Sequence, residues 1–216
     1  MAIACAETGD DQIEAAVDAV ISAGRASAGR CWVPTTSGNF SVRIDSKRIA
    51  ITRSGVDKGT LTPADILIQT LRRPLMAGSS AEAALHTRLY ADNPGIGAIF
   101  HIHGLHSTII GQAHAAEDSV RLEGWELQKA LAGVTSHETA VEVPVFANDQ
   151  DVAALSERIA DRLARPPPRG HVRAPGYLLA GHGLYAWGKS PSEAFRHLEA
   201  LETLFQQVII LRSYQA

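Results

Sequence analysis

The chain has 216 residues, 45% of them hydrophobic and 20% charged, a length and composition suited to one large globular domain. Its 20 Lys and Arg against 23 Asp and Glu leave a formal charge of −3 with no basic run, which disfavours nucleic acid as a partner. No stretch approaches a membrane span, Met1 to Asp10 lacks the basic start and apolar run of a signal peptide, and Cys5 and Cys31 are too few for a disulfide framework, so a cytoplasmic protein with free thiols is expected.

From Asp10 to about Gly29, Ile13, Ala16, Val17, Val20 and Ile21 recur at helical spacing behind Asp10 or Asp11 as the cap, which predicts an amphipathic opening helix. The turn-rich Pro34-Thr35-Thr36-Ser37-Gly38-Asn39 feeds the alternating run Phe40 to Ile44, and a second short strand follows at Arg48 to Thr52. Arg53-Ser54-Gly55 is a turn, Thr62-Pro63-Ala64-Asp65 a first helical turn, and Ile66 to Leu71 a strand. A helix capped by Ser79 or Ser80, carrying Ala84, Leu85, Leu89 and Tyr90, is broken by Pro94-Gly95 before an apolar strand from Ile96 to His103. Leu122 to Leu131 reads as a short helix and Val141 to Phe146 as a strand. A helix capped by Asn148 or Asp149 then runs to about Ala164, ended by the stiff surface linker Pro166-Pro167-Pro168. Tyr177 to Ala180 is a short buried strand interrupted by Gly181-His182-Gly183, and Ser190-Pro191 opens a long closing helix to about Arg212. Strands mixed with helices predict an α/β fold, a three-layer α/β/α arrangement around a central mixed sheet, with residues 1–216 as a single domain.

His101 and His103 stand two apart at the end of a strand, and the strand period turns both imidazoles to one side, where they can meet one ion. A catalytic zinc site takes three protein ligands and keeps a position open, so a third histidine has to come from elsewhere. His182 is the best candidate, because glycines on both sides let its backbone approach another strand; His106, three residues beyond the pair, competes. His86, His114, His137, His171 and His197 fall on predicted helices or loops, where a solvated or structural role is the default. Among carboxylates, Glu82 and Glu126 are singled out for proton transfer beside a Lewis acid. The simpler readings are that Glu82 complements a helix dipole and that Glu126 is solvated beside Glu123. Ser37-Gly38-Asn39, Ser54-Gly55 and Ser79-Ser80 are small polar loops whose backbone N–H groups attract phosphate, and with Lys58 they can cradle one sugar phosphate. None has the spacing of a P-loop or dinucleotide fingerprint, which disfavours ATP and NAD.

Taken in order, these segments resemble the class II aldolase and adducin family from about Ile13 to Phe205. The resemblance is carried by Thr36 to Ser41, Ile51 to Gly55 with Asp57-Lys58-Gly59, Ser80-Ala81-Glu82 with Leu85-His86, and Phe100 to His103. It continues through Leu122 to Lys129, Val143 to Phe146 with Asn148 to Asp151, and Gly181 to Gly188. The Glu123-Gly124-Trp125-Glu126 and Gly181 to Gly188 stretches resemble a dehydratase branch in particular. Gly104 is a departure, standing where a small hydroxyl residue commonly follows the second histidine. The resemblance implies one Zn2+ per subunit on His101, His103 and His182, and a small phosphorylated sugar as substrate, its phosphate in the loops of Ser37, Gly38 and Asn39, of Ser54 and Gly55, and of Ser80. It implies a homotetramer with sites at subunit boundaries, and loss of water from the sugar, with aldolase or epimerase chemistry as the alternative. It assigns proton transfer to Glu126 by the dehydratase pattern and to Glu82 by the aldolase pattern.

Overall fold

The computed structural model describes residues 9–215; Cys5 and residues 1–8 of the segment tested for a signal peptide lie outside them. After α1 (Gly9–Gly29), strands β1 (Asn39–Arg43), β2 (Arg48–Thr52) and β3 (Ile66–Thr70) form an antiparallel meander. Then come α2 (Ala83–Asp92), β4 (Ala98–Ile102), α3 (Leu105–Ala113), β5 (Ser119–Leu122), β6 (Ala140–Phe146) and α4 (Val152–Ala164). The chain ends with β7 (His171–Arg173), β8 (Gly176–Leu179), β9 (Gly183–Gly188) and α5 (Pro191–Gln215). Among the described residues the strands form one mixed sheet in the order β3-β2-β1-β4-β9-β8-β6-β5, with β7 also on β6; β6 pairs in parallel with β7 and β8, and the other pairs are antiparallel.

Alternation along each strand divides the core in two. Phe40, Val42, Phe100, Ile102, Leu184 and Ala186 face α1, α3 and α5, meeting Val20, Ile110, Leu198, Leu201 and Phe205. Ile49, Ile51, Ile99, Leu179 and Tyr185 face the other way, against Leu85 and Leu89 of α2 and Leu155 and Ile159 of α4. The expected three-layer α/β/α architecture around a mixed sheet is therefore present. Of the predicted α1 face, Ala16, Val20 and Ile21 are buried, while Ile13 and Val17 are half-buried. No helix among the described residues is long and apolar enough to cross a membrane.

Several local expectations are corrected. Ser79 and Ser80 do not cap α2; they lie in a turn before it, and Glu82 holds the cap position with no side-chain cap bond. Leu122 to Leu131 is not one helix: Leu122 ends β5, whose Val120 and Leu122 enter the core, and only Glu126–Ala130 forms a 3-10 turn. The cap of α4 is Asp151, whose side chain accepts from the Ala154 N–H, rather than Asn148 or Asp149. The Gly181-His182-Gly183 interruption is a turn between two strands, since Gly183 opens β9, a central strand; β7 was also not anticipated.

Candidate metal centre and substrate cleft

β4 delivers His101 to the α2/α4 face of the sheet, with Asn39 of β1 and Tyr185 of β9 as its cross-strand partners. The Tyr185 ring stacks on the His101 imidazole at 4.0 Å and rests in turn on Tyr177 at 4.8 Å, so this fully buried ring has one orientation. Its Nδ1–H donates to the Leu184 carbonyl at 3.1 Å, which leaves the Nε2 lone pair free. His103, one residue past the strand, is anchored through its backbone N–H to the Trp32 carbonyl at 2.9 Å. His182 arrives from the β8–β9 turn, where Gly181 has φ of +64° and a Cβ on Gly183 would stand 2.0 Å from the Ile102 carbonyl. Glycine is what lets this turn lie against the end of β4. His182 Nδ1 lies 3.1 Å from Asn148 Oδ1, which turns Nε2 toward His101 and Glu82.

The ligating atoms of the three histidines lie within 4.8 Å of one another, and the Nε2 atoms of His101 and His182 are 3.3 Å apart. Two nitrogens on a tetrahedral zinc, each at about 2.0–2.1 Å, stand about 3.3–3.4 Å apart, so the donor set fits such an ion. Burial, the leading cause in both, pushes the His101 pKa well below its ordinary value and that of His103 down to about 4, keeping both imidazoles neutral and available as ligands. His106 turns away from this cluster: its Nδ1 and backbone N lie 3.1 and 3.0 Å from the buried Glu202 carboxylate of α5. The same carboxylate accounts for Gly104, where a Cβ would lie 2.6 Å from Glu202 atoms.

Glu82 faces the trio. Its Oε1 is 3.0 Å from His182 Nε2, its Oε2 is 3.6 Å from His101 Nε2, and Asn39 Nδ2 donates to Oε2 at 2.6 Å. Burial works against the charged carboxylate, but the hydrogen bond with His182, the neighbouring His101 and the Asn39 amide outweigh it and hold the pKa well below the usual carboxylate range. An ionised carboxylate thus stands beside the three imidazole nitrogens.

Above them opens a cleft of about 310 Å³ lined by Ser37, Gly38, Asn39, Ser54, Gly55, Lys58, Ser80, Glu82, His103 and His182, with His101 buried beneath. The loop residues expected to hold phosphate, Ser79 excepted, therefore share one space with His103 and His182. Gly38 and Gly55 adopt positive φ, and the buried Lys58 Nζ donates to the Thr36 and Val56 carbonyls at 2.8 Å each, tying two of the loops together. Arg53 also lines the cleft; its place beside Ser54-Gly55 was the signal available for it. Glu126 is not brought in. Its side chain is exposed, paired with Lys129 and 3.9 Å from His137, and it does not line the cleft of its own chain.

Sequence reasoning also missed Asn148, because its role depends on a contact across 34 residues. Asn148→Ala removes the acceptor that fixes the His182 ring, and metal affinity is expected to fall about 10–100-fold, measured by competition with a chromophoric chelator.

The sequence matches the Class II Aldolase and Adducin N-terminal domain over residues 18–209. It is 64% identical over 205 residues to a methylthioribulose-1-phosphate dehydratase of Bradyrhizobium sp. (strain BTAi1), covering 95% of each chain. Its identity to the protein of that name from Pseudomonas aeruginosa (strain PAO1) is 46% over 200 residues, covering 91% of this chain and 95% of that one. The fold superposes on L-fuculose-1-phosphate aldolase from Thermus thermophilus with a TM-score of 0.74, 28% identity and coverage of 92% and 96%. A sugar-phosphate aldolase from Thermotoga maritima, at 15% identity, TM-score 0.67 and coverage of 93% and 96%, shares the fold alone. On the domain match and these relatives together, the chain belongs to the class II aldolase and adducin family.

Proposed function

We propose that this protein is a zinc-dependent lyase that dehydrates 5-methylthioribulose 1-phosphate to 5-methylthio-2,3-dioxopentyl phosphate, as a step of methionine salvage in the cytoplasm. The observation that carries the reading is the meeting of three histidine nitrogens, an ionised Glu82 and the phosphate-type loops in one cleft. The name of the relative at 64% identity supplies the substrate. One zinc per subunit, held by His101, His103 and His182, supplies a Lewis acid that polarises a ketone.

The residues divide the remaining work. Backbone N–H groups and hydroxyls of Ser37, Gly38, Asn39, Ser54, Gly55 and Ser80, with Lys58, hold the phosphate and so fix which sugar carbon lies under Glu82. Glu82 takes the C3 proton, the C4 hydroxyl departs as water on receiving a proton, and the resulting enol ketonises to the 2,3-diketone. Glu126 is the proton donor in this scheme. Its distance from its own cleft is met by a homotetramer in which it reaches a neighbouring subunit's site. In support, α3 and α5 leave Leu105, Ile109, Ile210 and Leu211 exposed as apolar contact surface. The whole chain acts as one domain.

The test is turnover of 5-methylthioribulose 1-phosphate before and after chelation. Product with an unbroken carbon chain, lost on chelation and restored by zinc, is expected. Absence of turnover by protein carrying stoichiometric metal overturns the reading. The Thermus thermophilus neighbour favours a second one, cleavage of a sugar phosphate, for which an aldehyde and a three-carbon phosphate would be recovered instead. Glu126→Gln is expected to keep its zinc and lose at least about 100-fold in turnover, measured on metal-replete protein.

A further inference from the structure

We infer that His86, a residue of α2 wholly enclosed between α2 and the sheet, is a positioning residue for Glu82 and acts by fixing the side-chain amide of Asn39. His86 follows Glu82 by four residues, so both lie on the face of α2 turned to β1 and β4. Its Nε2 is 2.5 Å from Asn39 Oδ1, and its Nδ1 is 2.7 Å from Ser41 Oγ. Tyr90 completes the chain, donating its hydroxyl to the Ser41 carbonyl at 3.0 Å.

The polarity of this chain follows from its two ends. Asn39 Nδ2 donates to the Glu82 Oε2 atom at 2.6 Å, so Oδ1 is the end of the amide left for His86. Asn39 Oδ1 then faces His86 and needs a donor, which makes His86 Nε2 the protonated nitrogen and Nδ1 the acceptor for the Ser41 hydroxyl. Burial keeps the ring neutral, with its pKa lowered to about 4, so one proton and one lone pair are what it has to offer. Remove the Nε2–H and Asn39 Oδ1 loses its donor, so the amide is held at one end only. Rotated by half a turn, it would aim Oδ1 at the Glu82 carboxylate, two acceptors at hydrogen-bond distance, and the base would move off its line between Asn39 and His182. His86 also meets the edge of the Tyr185 ring, 5.6 Å between centroids, but the hydrogen bonds run to Asn39.

The inference rests on Glu82 being the base, so its test includes a readout that needs no substrate. The sequence holds three asparagines, Asn39, Asn93 and Asn148, so 15N-asparagine labelling gives three pairs of side-chain amide proton signals. One Asn39 proton is expected well downfield, as for a charge-assisted bond, and back in the ordinary range in His86→Leu. On metal-replete protein, His86→Leu is expected to lower kcat about 10–100-fold with KM and zinc content unchanged. His86→Gln, which keeps a donor near the Nε2 position, should restore kcat to within a few-fold, whereas His86→Asn, whose amide reaches only the Nδ1 position, should not. If His86→Leu does not fold, the Gln and Asn pair decides alone. Folded Leu or Asn variants with the Asn39 proton still downfield, or with kcat within twofold of the unsubstituted protein, overturn the inference. A shifted amide proton in a protein that does not turn over the sugar phosphate instead leaves the positioning intact and removes the proposed reaction.

Discussion

His182→Ala is expected to abolish stoichiometric zinc and to lower turnover by about 1000-fold or more, the several kcal/mol a Lewis acid contributes to polarising a carbonyl. Three donors are the usual minimum for a catalytic ion, and this substitution leaves two. It is also the cleanest of the three ligands to remove. His101 is fully buried between Asn39 and Tyr185, so its loss opens a cavity in the sheet face. The His182 side chain is 13% exposed and sits on a turn, so the fold should survive and only the donor disappear. Metal analysis and circular dichroism on the same preparation check both halves. A folded His182→Ala protein that retains one zinc and normal turnover would refute the assignment.

Glu82→Gln is expected to lower kcat by about 100- to 10,000-fold, the range of general base catalysis, while zinc stays bound to the unaltered histidines. The substitution is nearly isosteric, and the glutamine still offers Asn39 an oxygen acceptor, so the loss would report on proton transfer rather than on packing. Paired with Glu126→Gln, it also tests the assembly. If each site takes Glu82 from one subunit and Glu126 from a neighbour, mixed oligomers of the two inactive proteins, formed by dissociation and random reassociation, should recover roughly a quarter of normal activity. If both carboxylates acted within one chain, mixing would restore nothing.

What could be read in the chain follows the range of each interaction. His101 and His103 were legible because a strand's period is local, and the glycines beside His182 because close approach of backbones leaves a compositional trace. The α/β layering was legible from patterning, yet β9, a central strand, was lost behind Gly181-His182-Gly183, since a glycine that opens a strand looks the same in sequence as one that ends it. Leu122 to Leu131 misled for a similar reason: its leucines fit a helix locally, and only pairing of Val120 and Leu122 with β6 makes that stretch begin as a strand. His86 and Asn148 were invisible as site residues because their partners are fixed by strand register and by a turn 34 residues away. Glu126 marks the limit of a single chain, its neighbours there being Lys129 and His137.

The placement of His101 on β4, with His103 two residues on and just past its end, carries a constraint on how this lineage can vary in length. An insertion or deletion of one residue between Ala98 and Phe100 would invert every later side chain of the strand, turning Phe100 and Ile102 to the cleft side and sending the His101 imidazole among Val20, Leu201 and Phe205. Such a change removes the reaction in one step, with no graded intermediate for selection to repair. Around Pro166 to Pro168, where the chain only bridges α4 to β7, the same single-residue change should pass almost unnoticed, so length variation among descendants should gather there and be absent from β4.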